Sequence, residues 1–262
     1  VDAQKLIEQQ KKVVEKKEAD KSFLLAVTKN QEANYKKLLA DRQRKAAQIR
    51  AALFALRDTA AIPFGEALAF ATLASEKTGV RPAFVLAILT QESNLGQNQC
   101  SCLLSSLDTG DGVGKNTASP FEKVMKAPRD TVPFQSITSR LGRDWKTTPV
   151  SCPISSAKYY SGRGYGGAMG PAQFIPSTWE LFKARVGSML GLTAESADPW
   201  NPGHAFMASA VYLSDLGASS SSEIRAAVKY YGSGGATCTY GKQVMAKAAD
   251  IQLSMIDPLQ NG

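Results

Sequence analysis

Glu92 is the residue of this chain best placed for acid–base chemistry. It closes the stretch Pro82 to Glu92, in which Val85, Ile88 and Leu89 share one face of a helix, and Glu92 is the next position on that face. A carboxyl three and four residues beyond Leu89 and Ile88 turns toward packed side chains rather than water. Burial disfavours the carboxylate, and the negative end of the helix dipole disfavours it further. The spacing therefore predicts a carboxyl that keeps its proton near neutral pH. Such a group can serve as a general acid, for instance toward a glycosidic oxygen, with rate effects of order 10²–10⁴. The plain alternative is a glutamate at the core edge paired with Lys or Arg.

Other chemistries fit the residues less well. His204 is the only histidine, so a two-histidine zinc motif is excluded. A Ser-His-Asp triad would need His204, which follows Pro202-Gly203 at a helix start and suits capping better. Cys100, Cys102, Cys152 and Cys238 are even in number and lie in loop-like settings, which suits two disulfides and an oxidising compartment. A cysteine–histidine nucleophile would require one of them free beside His204. Three pairings are possible and spacing does not choose among them. Gly162-Arg163-Gly164-Tyr165-Gly166-Gly167 fits a dinucleotide fingerprint by letter only, with neither a hydrophobic strand before it nor a helix directly after. No metal and no cofactor are expected.

The elements that must position Glu92 fall into two segments. Residues 1–58 carry 14 Lys+Arg against 8 Asp+Glu, leaving 17 against 15 for the remainder, so most of the net charge of +8 sits at the front. From Asp2 to Asp58 there is no Pro or Gly, and the apolar positions Leu39, Ala46, Ile49, Leu53 and Leu56 follow mixed seven-, three- and four-residue steps. This predicts a coiled-coil helical arm over residues 1–60 with imperfect heptads, which needs a protein partner or self-association to bury its stripe. Ile62-Pro63-Phe64-Gly65 breaks it, and a mainly α domain follows over residues 61–262. Helices are expected at 66–77, ended by Gly79; at Pro82–Glu92, stopped by Gly96; and from Ser177-Thr178-Trp179-Glu180, a capping-box pattern, to Leu190. Others run from Asn201-Pro202 to Gly217, from Ser222 to Tyr231 and from Tyr240 to Met255. Between them, residues 97–165 read as an irregular, disulfide-bearing insert without a core of its own. No apolar run approaches the length of a membrane span, so membrane anchoring is expected only through a segment outside this chain.

Four short runs add company to Glu92. They are Gln91-Glu92-Ser93-Asn94-Leu95-Gly96, the stretch Gly166 to Pro176 with Gly167-Ala168-Met169-Gly170-Pro171-Ala172-Gln173-Phe174, Ala208 to Leu213, and Ala226 to Gly232. In this order and spacing the chain resembles the lytic transglycosylases, which share the goose-type lysozyme fold. With Asp198-Pro199-Trp200-Asn201-Pro202 it looks closest to the membrane-bound B type and secreted relatives. The resemblance covers about residues 62–250. It implies a lysozyme-like α domain acting on peptidoglycan glycan strands outside the cytoplasm, with no role for nucleic acid.

The resemblance also implies residue roles. Glu92 matches the family's single catalytic acid and base, and Ser93 the adjacent serine that helps bind glycan. Met169, Gly170, Gln173 and Phe174 match the segment lining the sugar cleft. Either Tyr230 or Tyr231 matches the tyrosine whose hydroxyl approaches the glutamate, while Tyr212 suits packing. The last motif here lacks the family's usual asparagine, and Ser209 stands where alanine is more usual. Asp108, Asp111, Asp130 and Asp144 could supply a second carboxylate of the kind glycosidases use in pairs. In the family none is needed, because the N-acetyl group and 6-hydroxyl of the muramoyl sugar complete the reaction. A hydrolytic lysozyme on the same fold and a wall-binding scaffold that does not cut are the alternatives.

Overall fold

The computed structural model describes residues 62–98, 101–153, 164–219, 222–232 and 237–260, with residues 17, 18, 21, 22, 28, 29, 31–42, 44 and 45 of the arm. Those between Ile49 and Leu253 form one compact unit; those of Val1–Gln48 and Ser254–Gly262 belong to a second. The described arm residues are helical and mostly exposed, with one-turn ion pairs Glu32–Lys36 and Asp41–Lys45. The coiled-coil packing expected over residues 1–60 lies outside the described residues.

The larger unit is mainly helical. Helix α1 (Phe64–Thr78) ends on left-handed Gly79, as expected, and buries a stripe of small residues, Ala67, Ala71 and Ala74. Helix α2 (Pro82–Ser93) carries proline in its first turn. Its apolar character is more complete than a stripe: every side chain from Ala83 to Leu89 is fully buried. The helix runs through the middle of the fold, flanked by α1 and by two later helices, α5 (Pro202–Asp215) and α7 (Thr237–Ile251). It stops at Asn94 rather than Gly96. Asn94, Leu95 and Gly96 take φ of 50°, 54° and 87° in succession, a left-handed turn that costs a leucine conformational energy. Hydrogen bonds from Leu95 N to Leu89 O (3.2 Å) and from Ile62 N to Leu95 O (2.9 Å), with burial of the Leu95 side chain, offset that cost.

The insert is not the irregular loop that its composition suggested. Strands β1 (Cys102–Leu104), β2 (Gly112–Gly114) and β3 (Pro120–Phe121) form a small antiparallel sheet in which Cys102 faces Gly114 and Gly112 faces Phe121. Helix α3 (Thr131–Arg140) follows. Val124, Met125, Phe134, Ile137 and Val150 are fully buried, so this region does have a core. Cys102 is bonded to Cys152 across a separation of 50 residues. Cys100 and the side chain of Cys238 lie outside the described residues.

Helix α4 (Pro176–Leu190) corrects the capping-box reading. Pro176 opens the helix, which puts Ser177 inside the first turn. Ser177 donates from its backbone N (3.2 Å) and its hydroxyl (2.5 Å) to Oδ1 of Asp130, whose other oxygen accepts from Arg129. The cap therefore comes from the residue preceding α3, and no local pattern encodes it. Arg140 at the end of α3 and Glu180 on α4 pair at 2.8 Å. In α5, Asn201 caps His204 N at 3.2 Å, and His204 Nδ1 accepts the Asp198 N–H at 3.0 Å, which commits the histidine to structure. Helix α6 (Glu223–Tyr231) is tied to the start of α2 by two bonds from the Arg81 guanidinium to Glu223, at 2.5 and 2.7 Å. Helix α7 begins before Tyr240 and ends at Ile251, followed by a wide turn at Gln252–Ile256 and a short α8 (Asp257–Gln260).

Asp130→Ala leaves the first turn of α4 with unpaired donors in a buried setting, at a cost of about 1–3 kcal/mol. Urea unfolding followed by circular dichroism should place its midpoint well below wild type, with Ser177→Ala intermediate and the double variant less than additive. An unchanged midpoint for Asp130→Ala would dismiss the cap.

Candidate functional site

The site is built at the C-terminal end of α2, where Glu92 and Ser93 point in different directions. Ser93 is fully enclosed and its hydroxyl is used internally: it donates to Pro171 O (2.7 Å) and accepts from Gly96 N (2.9 Å). It holds the turn Met169–Phe174 against the helix and has no face open to a sugar. That turn is closed by Met169 N donating to Phe174 O at 2.9 Å. Within it Gly170 has φ +58°, and a Cβ there would lie 1.9 Å from Pro199 O, so only glycine fits. Met169 and Gly170 are thus buried parts of the turn, not cleft lining. Gln173 is partly open, with φ +55° and its amide donating to Gly170 O at 2.7 Å.

Phe174 sits at the centre of an aromatic cluster. Its ring lies 6.1 Å from Trp179, 5.8 Å from Phe182, 6.0 Å from Tyr212 and 6.2 Å from Tyr230. Such centroid distances are those of favourable edge and tilted contacts. The cluster walls a cleft of about 270 Å³ lined by Ala172, Gln173, Phe174, Ile175, Thr178, Tyr212, Tyr230 and Tyr231. Tyr230 donates its hydroxyl to Ala172 O (3.2 Å) and pairs with Ser209 Oγ (3.0 Å). The serine in the otherwise apolar third run therefore has a purpose, since it satisfies a tyrosine hydroxyl inside the fold.

Glu92 is half-buried, and burial raises its pKa above the usual carboxyl range. The group that touches it is neither Tyr230 nor Tyr231 but Tyr240, whose hydroxyl donates to Glu92 Oε1. This donation works against burial by favouring the carboxylate. Burial and the Glu92 charge both push the Tyr240 hydroxyl far up, so it remains a donor throughout the working pH range. Tyr231 is 52% exposed and stacks on the Tyr240 ring at 4.7 Å. The close approach of α7 to α6 depends on Gly241, where a Cβ would come within 2.8 Å of Val228.

Sequence alone does not single out Tyr240, which stands at the expected start of a helix and outside the four runs. Its one signal is the glycine beside it in a helical stretch, a mark of close packing. Of the four aspartates that could supply a second carboxylate, three have partners elsewhere and one is open to solvent. Asp130 caps α4, Asp111 accepts from Lys123 N, Asp144 accepts from Lys146 N, and Asp108 is exposed. Among the described residues no second carboxylate acts on Glu92, no group of three or more metal-ligating side chains assembles, and no helix is long and apolar enough to cross a membrane.

No family model, curated protein or solved structure matches this chain.

Because the folded pKa of Glu92 lies above its unfolded value, folding stability is intact at low pH and is lost as pH rises through the folded pKa. Glu92→Gln removes that loss. Its melting temperature should match wild type at low pH and exceed it above the Glu92 transition. Tyr240→Phe deletes the contact that lowers the pKa, so the carboxyl carbon resonance of labelled Glu92 should titrate at higher pH. A shift to lower pH would contradict the assignment.

Proposed function

We propose that the chain is a peptidoglycan lytic transglycosylase that cleaves the bond from MurNAc to GlcNAc with Glu92 as its one acid and base. The observation that carries this reading is a desolvated carboxyl held by Tyr240, whose ring stacks on Tyr231 in the wall of a cleft of aromatic rings, amide and hydroxyl groups. A proton-holding carboxyl can protonate the glycosidic oxygen as the bond from C1 breaks. With no second carboxylate acting on Glu92 among the described residues, stabilisation of the sugar cation falls to the substrate's own 2-acetamido oxygen. Glu92, now ionised, takes the proton of the muramoyl 6-hydroxyl as that oxygen bonds to C1. The product end is a 1,6-anhydromuramoyl sugar, and no water enters the balance.

Tyr240 fits the same scheme as a positioning residue, holding one carboxyl oxygen so that the other faces the leaving group. Exposed Tyr231 offers a ring at the mouth of the cleft on which a sugar can stack, and Gln173 supplies a partly open amide. The four sequence runs support the family assignment, and the Cys102–Cys152 disulfide is compatible with an extracytoplasmic location. The lysozyme-like type of the helical fold and a coiled-coil arm that recruits a protein partner or a second copy belong to the same proposal.

Digestion of purified sacculi followed by mass spectrometry of the muropeptides tests it. Anhydro ends, lighter by one water than reducing ends, are expected, and reducing ends would instead make the protein a hydrolytic lysozyme. Glu92→Gln should lower the cutting rate by at least 10²–10⁴ while retaining sacculus binding. Wild-type protein that binds sacculi without releasing fragments would make it a wall-binding scaffold.

A further inference from the structure

A second cleft, of about 570 Å³, lies in the insert and takes no part in the site around Glu92. One wall is a face of α3: Val132, Gln135, Ser136 and Ser139 follow the spacing of three, one and three residues that aligns side chains on a helix. The other is the turn after α3, with Arg143, Asp144 and Trp145. Val132 is 62% exposed, an apolar side chain left open at the cleft.

The chemistry of the lining narrows the ligand. Arg143, its one cation, is already paired, and Asp144 is held by a backbone N–H. Arg143 is 2.9 Å from the Asp198 carboxylate and lies over the Trp200 ring at 5.0 Å, and Asp144 accepts from Lys146 N. Lys146 stands 5.5 Å from the centre of the Trp145 ring, at the edge of the cleft. What remains for a ligand is neutral: the Gln135 amide and the hydroxyls of Ser136 and Ser139, exposed side chains without hydrogen-bond partners among the described residues, with the half-exposed Trp145 ring beside them. Amide and hydroxyl groups next to an indole suit a molecule that offers hydroxyls on its rim and C–H bonds on its face. An anionic ligand would find Arg143, the one cation of the lining, already paired.

We propose that this cleft is an auxiliary saccharide site, distinct from the cleft at Tyr230 and Tyr231, which binds N-acetylated sugars of the same polymer. The polymer's identity rests on the function proposed above; the ligand class rests on the lining alone. A second hold on a strand raises the local concentration of glycan at the first without any new chemistry.

The full chain carrying Glu92→Gln and labelled with 5-fluorotryptophan gives a fluorine signal for each of its three tryptophans, and Trp145→Phe assigns the one of interest. Chitohexaose should shift the Trp145 signal. Ser139→Arg, which fills the cleft from an exposed position, should abolish that shift and raise the apparent Kd for sacculi about tenfold, equivalent to ~1.4 kcal/mol. Circular dichroism should be unchanged. A Trp145 signal that stays still at saturating chitohexaose, or that answers to the stem tetrapeptide instead, overturns the proposal. If wild type cuts sacculi while Trp145 stays silent, the auxiliary site alone falls. If Trp145 responds and sacculi are not cut, the enzyme reading falls and the saccharide site stands.

Discussion

Glu92 ends a helix whose preceding side chains, from Ala83 to Leu89, are wholly out of water, and the rest of the site follows from keeping that helix end fixed. A carboxyl at the margin of such a helix loses hydration, and its protonated form is favoured. Desolvation alone would leave it without orientation. The Ser93 hydroxyl, shared between Pro171 O and Gly96 N, joins the helix end to the turn that carries Gln173 and Phe174. Two adjacent residues thus differ in setting, Glu92 half-buried at the helix end and Ser93 locked inside.

Opposing influences on Glu92 come from different parts of the chain. Burial, which raises its pKa, is supplied by packing around α2; the donation that lowers it comes from Tyr240 on α7. Gly241, the residue after Tyr240, sets how closely α7 packs on α6. Tyr230, on the neighbouring helix, satisfies its hydroxyl with Ser209 and Ala172 and serves as a wall of the cleft. Three nearby tyrosines therefore do three separate jobs: Tyr240 donates to the acid, Tyr230 braces the turn, and Tyr231 presents a ring to solvent.

The helix boundaries were largely legible, because they are set by local events. Pro82 and Pro202 at first-turn positions and Gly79 after the last turn fall where the chain shows them. Local reading misled where a distant group intervened. Ser177 looks like a cap and is instead capped, since Asp130 arrives from a segment 47 residues away. The insert read as irregular because its strands are two or three residues long, too short for alternation to register.

Sequence by itself determined a mainly helical body and the helix that carries Glu92 at its end. These rest on periodicity and on proline and glycine geometry, all properties of neighbouring residues. Only the tertiary structure decided which tyrosine meets Glu92, that Cys102 pairs with Cys152, that Ser93 and Met169 face inward, and that Asp130 caps α4. Each of those contacts joins residues far apart in the chain. Their pairing depends on how buried helices settle against one another, which no local spacing encodes.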